Sequence, residues 1–122
     1  MRYEFTAEYI EIDPTATEYR LLRNAIKKRL ICAASGGLRL EQPEAWKLTE
    51  FLAKSVEAPR IIRASLCDLP YFTEALNTAL PDLDTAGMQI VQEMIGGLTI
   101  ATDGFELLRN QVAAPDYVPE GL

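Results

Sequence analysis

The chain has 122 residues, 48% of them apolar and 25% charged, with 18 acids against 12 bases, two Cys and no His. That length is ordinary for one domain and can bury about two-thirds of the surface an unfolded chain exposes, which excludes both a disulfide scaffold and a disordered tail. The absence of His removes the commonest general base near neutral pH, the commonest metal ligand and every Ser-His or Cys-His nucleophile pair.

Charge is unevenly placed. Residues 1–13 carry a net −3, residues 14–63 a net +5 and residues 64–122 a net −8. A chain divided in this way can neutralise itself internally, pair head to tail with a copy of itself, or steer a charged partner.

From Arg2 to Ile12 the pattern alternates: Tyr3, Phe5, Ala7 and Tyr9 share one parity, and Arg2, Glu4, Thr6 and Glu8 the other. This is the period of a half-buried strand. The phase slips after Tyr9, as at a bulge or a strand end, and Asp13-Pro14 stops the element. Thr15 and Glu18 have the spacing of a capping box, so a helix is expected over about 16–35 on Leu22, Ile26, Leu30 and Ala33, ending at Gly36-Gly37. Leu38 to Glu41 alternates briefly and is expected to pair with the N-terminal strand, which otherwise leaves its backbone groups unsatisfied.

Pro43 and Glu44 suit the first turn of a second helix, carried by Ala45, Leu48, Leu52 and Val56, with Trp46 and Phe51 widening its apolar face and Pro59 closing it. Arg60 to Asp68 reads as a short helical pattern. Pro70 restarts a cleaner helix on Tyr71, Phe72, Ala75, Leu76, Ala79 and Leu80, which Pro81 ends. Asp82 and Asp84 stand where carboxylates cap a following helix.

The most regular segment comes last. Val91, Met94, Leu98, Ala101, Phe105, Leu108 and Val112 follow alternating three and four spacing, every one apolar. Gly96, Gly97 and Gly104 lie inside it, each costing about 1 kcal/mol relative to Ala in a helix interior. Either one helix runs from Thr85 to Ala113 with Gly97 and Ala101 permitting close approach, or the glycines break it in two. The surviving phase favours one helix. Residues 114–122 read as an extended tail. The pairs Gly36-Gly37-Leu38 and Gly96-Gly97-Leu98 are 60 residues apart, but the segments before them share almost nothing, which points to convergence rather than duplication.

The fold class expected is thus mainly α, with four to six helices and an N-terminal β-strand paired to a short second strand; small α+β is the alternative label. It comprises a single domain over 1–122. Cys32 and Cys67 are expected as buried apolar side chains in a reducing compartment. No apolar run reaches the roughly 18 residues that span a membrane, and the N-terminus lacks the core of a signal peptide, so the expected location is cytoplasmic.

No local pattern assigns catalytic residues, a metal site or a cofactor. The reading that follows is a non-enzymatic interaction or regulatory protein with a protein partner, self-associating as a homodimer through a seam of Val91, Met94, Gly97, Leu98, Ala101, Phe105, Leu108 and Val112. The alternative is a binder of nucleic acid or a small anionic ligand through a basic stripe on the first helix, Arg20, Arg23, Lys27 and Lys28, since bases one helical turn apart can follow phosphates. An enzyme working without His ranks third.

Overall fold

The computed structural model describes residues 1–6, 8–55 and 61–113. Its elements are β1 (Arg2–Phe5), β2 (Ile10–Asp13), α1 (Ala16–Ala34), α2 (Gln42–Ser55), β3 (Ile62–Ala64), α3 (Leu69–Ala79), a 3₁₀ turn (Leu80–Asp82) and α4 (Thr85–Ala113). Four helices with a three-stranded antiparallel sheet make this a small α+β fold.

The sheet corrects two expectations. The phase slip at Tyr9 marks a hairpin: β1 and β2 pair antiparallel with Tyr3 opposite Ile12 and Phe5 opposite Ile10. Thr6 forms the turn, its hydroxyl donating to the Tyr9 carbonyl at 2.8 Å and accepting from the Tyr9 N–H at 3.0 Å. The third strand is Ile62–Ala64 rather than Leu38–Glu41, and it pairs with β2 through Ile10–Ala64 and Ile12–Ile62. Three residues are too few to display alternation in sequence, so a segment that reads as a helical pattern takes the edge of β2 once tertiary pairing is available. The alternation is plain in the burial, with Ile62 and Ala64 inside and Arg63 outside. On the outer face Arg63 forms an ion pair with Glu11 at 3.4 Å and lies over the Tyr9 ring at 5.2 Å.

Helix α1 begins at the expected capping box. Thr15 Oγ1 accepts from the Glu18 N–H at 3.2 Å, and Glu18 Oε1 accepts from the Thr15 N–H at 2.8 Å. Burial pushes the Glu18 carboxyl up, but the Thr15 N–H, the amino group of Met1 and the Thr15 hydroxyl outweigh it and hold the group below its ordinary value. Helix α3, with Leu69, Phe72, Ala75, Leu76 and Ala79 buried, is the central helix, against which α1 and α4 pack. One ion pair ties three helices: Arg29 Nε donates to Glu44 Oε1 at 2.7 Å and Arg29 Nη1 to Thr78 Oγ1 at 2.9 Å, so α1, α2 and α3 meet at a single guanidinium.

Helix α4 is one helix over the glycines, as the phase of its apolar positions requires. Asp84 caps it, accepting from the Gly87 N–H at 2.7 Å; Asp82 instead pairs with Lys28. Gly97 has a specific reason to lack a side chain, because a Cβ there would lie 2.7 Å from the Tyr3 hydroxyl. The ring of Phe5 contacts Phe105 with centroids 5.9 Å apart, so β1 is laid along α4. The expected tail, 114–122, lies outside the described residues, as does Pro59.

Candidate interaction surface

A candidate surface is built where α1 ends and α2 begins. Ser35, Gly36 and Gly37 donate their N–H groups back to Ile31, Ala33 and Cys32 at 3.0, 3.2 and 2.8 Å, closing the last turn of α1. Gly36 makes the reversal at φ +82°, a conformation side chains resist. The chain then runs from Leu38 to Leu40 and enters α2, whose first turn closes from the Ala45 N–H to the Glu41 carbonyl at 3.0 Å. The result is an open groove lined by Leu30, Ala33, Ala34, Leu38, Leu40 and Ala45, with Arg39 as its one charge. Ala45 also lines a second depression with Gln42, Trp46 and Thr49, so groove and depression adjoin at Ala45.

Trp46 is 74% exposed at this junction. This corrects its assignment to the core-facing side of the second helix. The buried row of α2 runs through Glu44, Leu48 and Ser55, and Trp46 lies two residues from both Glu44 and Leu48, about 200° around the helix. That angular mismatch was the sequence signal for an outward Trp. Ile31, 64% exposed on α1 and one turn before Ala34, extends the apolar area.

The seam expected to join two chains is occupied within the protomer. Val91, Met94, Leu98, Ala101 and Phe105 are all buried in the hydrophobic core, and Gly97 lies under Tyr3. These residues are therefore not a self-association surface. A run of apolar residues at three and four spacing specifies a face to be covered but not its cover, and here β1 and α3 supply it. Leu108, at the end of the seam, is 41% exposed; the Val112 side chain lies outside the described residues.

The basic stripe of α1 is divided. Lys28 pairs with Asp82, and Arg23 Nε donates to Ser55 Oγ at 3.0 Å, so both are drawn into contacts between elements. Arg20 and Lys27 are exposed and hold no ion pair among the described residues. The four candidates consequently do not form one anion-binding row.

A second cleft, of about 120 Å³, lies between α2, β3 and α3 and is lined by Lys47, Lys54, Arg63, Phe51, Tyr71 and Phe72 among others. Its cations are already matched: Lys54 to Glu50 at 2.7 Å, Lys47 to Asp68 at 3.9 Å and Arg63 to Glu11 at 3.4 Å. Lys54 holds the Glu50 carboxyl below its ordinary value. Charges paired in this way offer little attraction to an anion.

Both cysteines depart from the buried reading. Cys32 is half-buried and Cys67 is exposed, because Cys67 falls in the turn that closes from the Asp68 N–H to the Ser65 carbonyl at 3.0 Å. Among the described residues no three His, Cys, Asp or Glu side chains gather as a metal site, and no helix is long and apolar enough to cross a membrane.

No family model, curated protein or solved structure matches the chain.

Proposed function

We propose that the chain is a non-enzymatic interaction protein that receives an apolar segment of another protein in the groove beside Trp46. The observation that carries this reading is a Trp 74% exposed in a depression that adjoins an apolar groove at Ala45. A large aromatic left in water forgoes about 1.5–3 kcal/mol of burial energy, which a partner that covers it recovers. Trp is also among the side chains that dominate binding energy when they close into a partner's pocket. The lack of His in the composition is in keeping with a binding role.

The test is affinity capture from extracts of the native host, comparing the wild-type chain with Trp46→Ala. Because Trp46 is outside the core, the variant should keep the wild-type thermal midpoint. A protein retained by the wild type and lost with Trp46→Ala supports the reading; identical retention by both overturns it.

A further inference from the structure

Two helices present outward rows that no other part of the described chain covers. On α1 the row is Arg20, Asn24, Lys27, Ile31 and Ala34; on α4 it is Glu93, Gly96, Ile100, Asp103, Leu107 and Asn110. Every one of these residues is exposed, and each row advances in steps of three and four, the narrow stripe by which paired helices meet. The α1 row carries two cations and no acid, and the α4 row two acids and no cation. None of these four charges has an ion-pair partner among the described residues.

We propose that the outward face of α4 docks antiparallel on the outward face of α1 in a second copy of the chain. One charge pair and one aliphatic pair set the register, with Glu93 falling beyond the end of the α1 row. With Asp103 opposite Lys27, Ile100 falls on Ile31 and Gly96 on Ala34, while Leu107 reaches Asn24 and Asn110 reaches Arg20. Ile31, 64% exposed, and Ile100, 74% exposed, cover one another. Gly96, with open space around it, brings the helices close where Ala34 is also small. A parallel alignment that sets Arg20 against Glu93 places Asp103 on Ile31 and Lys27 on Ile100, burying charge against hydrocarbon.

The interface is heterologous, α1 of one copy meeting α4 of the next, so two copies either exchange both contacts or pass the second on to a further copy. It is narrow and flanked by charge, which makes the association weak and dependent on salt. It rests on the reading of the chain as an interaction protein and assigns one partner by chemistry; Ala34 lines the groove beside Trp46 as well and Ile31 extends its apolar area, whereas Trp46 itself lies in neither row.

Sedimentation equilibrium of the full chain over rising concentration, at low and high ionic strength, tests it. The wild-type mass should rise with concentration and fall back as salt is added. Lys27→Glu and Asp103→Lys, both at exposed positions, should each weaken association by about tenfold, because like charges then face one another. The double variant restores the opposite charges and should return to within about threefold of the wild type by the same pairing. Circular dichroism should show each variant as helical as the wild type. Trp46→Ala should leave the mass curve unchanged, so that loss of a host partner and loss of self-association are separate results. A mass independent of concentration at low ionic strength overturns the inference, as does insensitivity to both charge reversals, a double variant no better than the singles, or an effect of Trp46→Ala equal to theirs.

Discussion

The Tyr3 hydroxyl occupies the space into which a side chain on Gly97 would project, 2.7 Å from the Cβ position. The same hydroxyl is buried and has no hydrogen-bond partner among the described residues. Gly96, one residue earlier on the same helix, has nothing within 4 Å of its Cβ position. The two glycines therefore respond in opposite ways to the same substitution. Gly96→Ala should stabilise the fold by about 1 kcal/mol through helix propensity alone. Gly97→Ala gains the same propensity but forces the Tyr3 ring aside, and should cost about 1 kcal/mol net. In a Tyr3→Phe background the nearest atoms recede to 3.6 Å, an ordinary contact, so Gly97→Ala should there become stabilising. Denaturant midpoints of the four chains in the Tyr3 and Gly97 cycle check the coupling.

Tyr3→Phe is itself expected to stabilise by about 1 kcal/mol, since a buried hydroxyl without a partner loses its hydration and gains nothing. Burial, with the nearby Glu18 carboxylate adding to it, pushes the Tyr3 phenol up to about 12. A raised folded value means that the unfolded chain ionises first. The contribution is complete below the unfolded value of about 10 and is lost as pH rises toward the folded one. Alkaline unfolding followed by tyrosinate absorbance should show this loss in the wild type and a shallower one in Tyr3→Phe.

Glu18 behaves in the opposite sense. Its folded value lies below the unfolded one, so its contribution is present above about pH 4.3, the usual carboxylate value, and is lost as pH falls through the folded value. Thr15→Ala removes one half of the capping box and should cost about 1 kcal/mol near neutral pH. It should also flatten the acid limb of the stability curve, measured as thermal midpoint against pH.

Arg29 and Glu44 form the pair most sensitive to truncation. Their side chains are 13% and 12% exposed, and Arg29→Ala would leave Glu44 charged with little water to replace the guanidinium. A loss of about 3 kcal/mol is expected, the low end for a broken buried pair. Arg29→Met together with Glu44→Leu should cost less than Arg29→Ala alone, because no unpaired charge remains. Chemical denaturation of the three variants distinguishes the outcomes.

The features legible in the sequence are those set by local chemistry. The Thr15-Glu18 capping box, the Gly36 reversal, the Pro70 restart and the continuous α4 each follow from nearest neighbours along the chain, and each is where the spacing places it. What the sequence does not disclose is who covers what. Ile62–Ala64 becomes a strand only because β2 offers an edge, and the Val91-to-Phe105 row becomes core because α3, α1 and β1 lie against it. Trp46 was legible in part, since its angle on α2 excludes it from the buried row, although an apolar side chain of that size biases any reading inward.

The contact of β1 with α4 sets an order on folding. The inner face of the N-terminal hairpin, Ile10 and Ile12 with Tyr3 and Phe5, is covered in part by a helix that begins at Thr85. During synthesis that face leaves the ribosome long before its cover exists. The α1–α2 pair can close early from contacts near in sequence, whereas the hairpin waits for its most distant partner, and contacts of such separation slow folding. A nascent chain stalled before α4 therefore displays bare strand surface, the kind to which chaperones bind and at which chains aggregate.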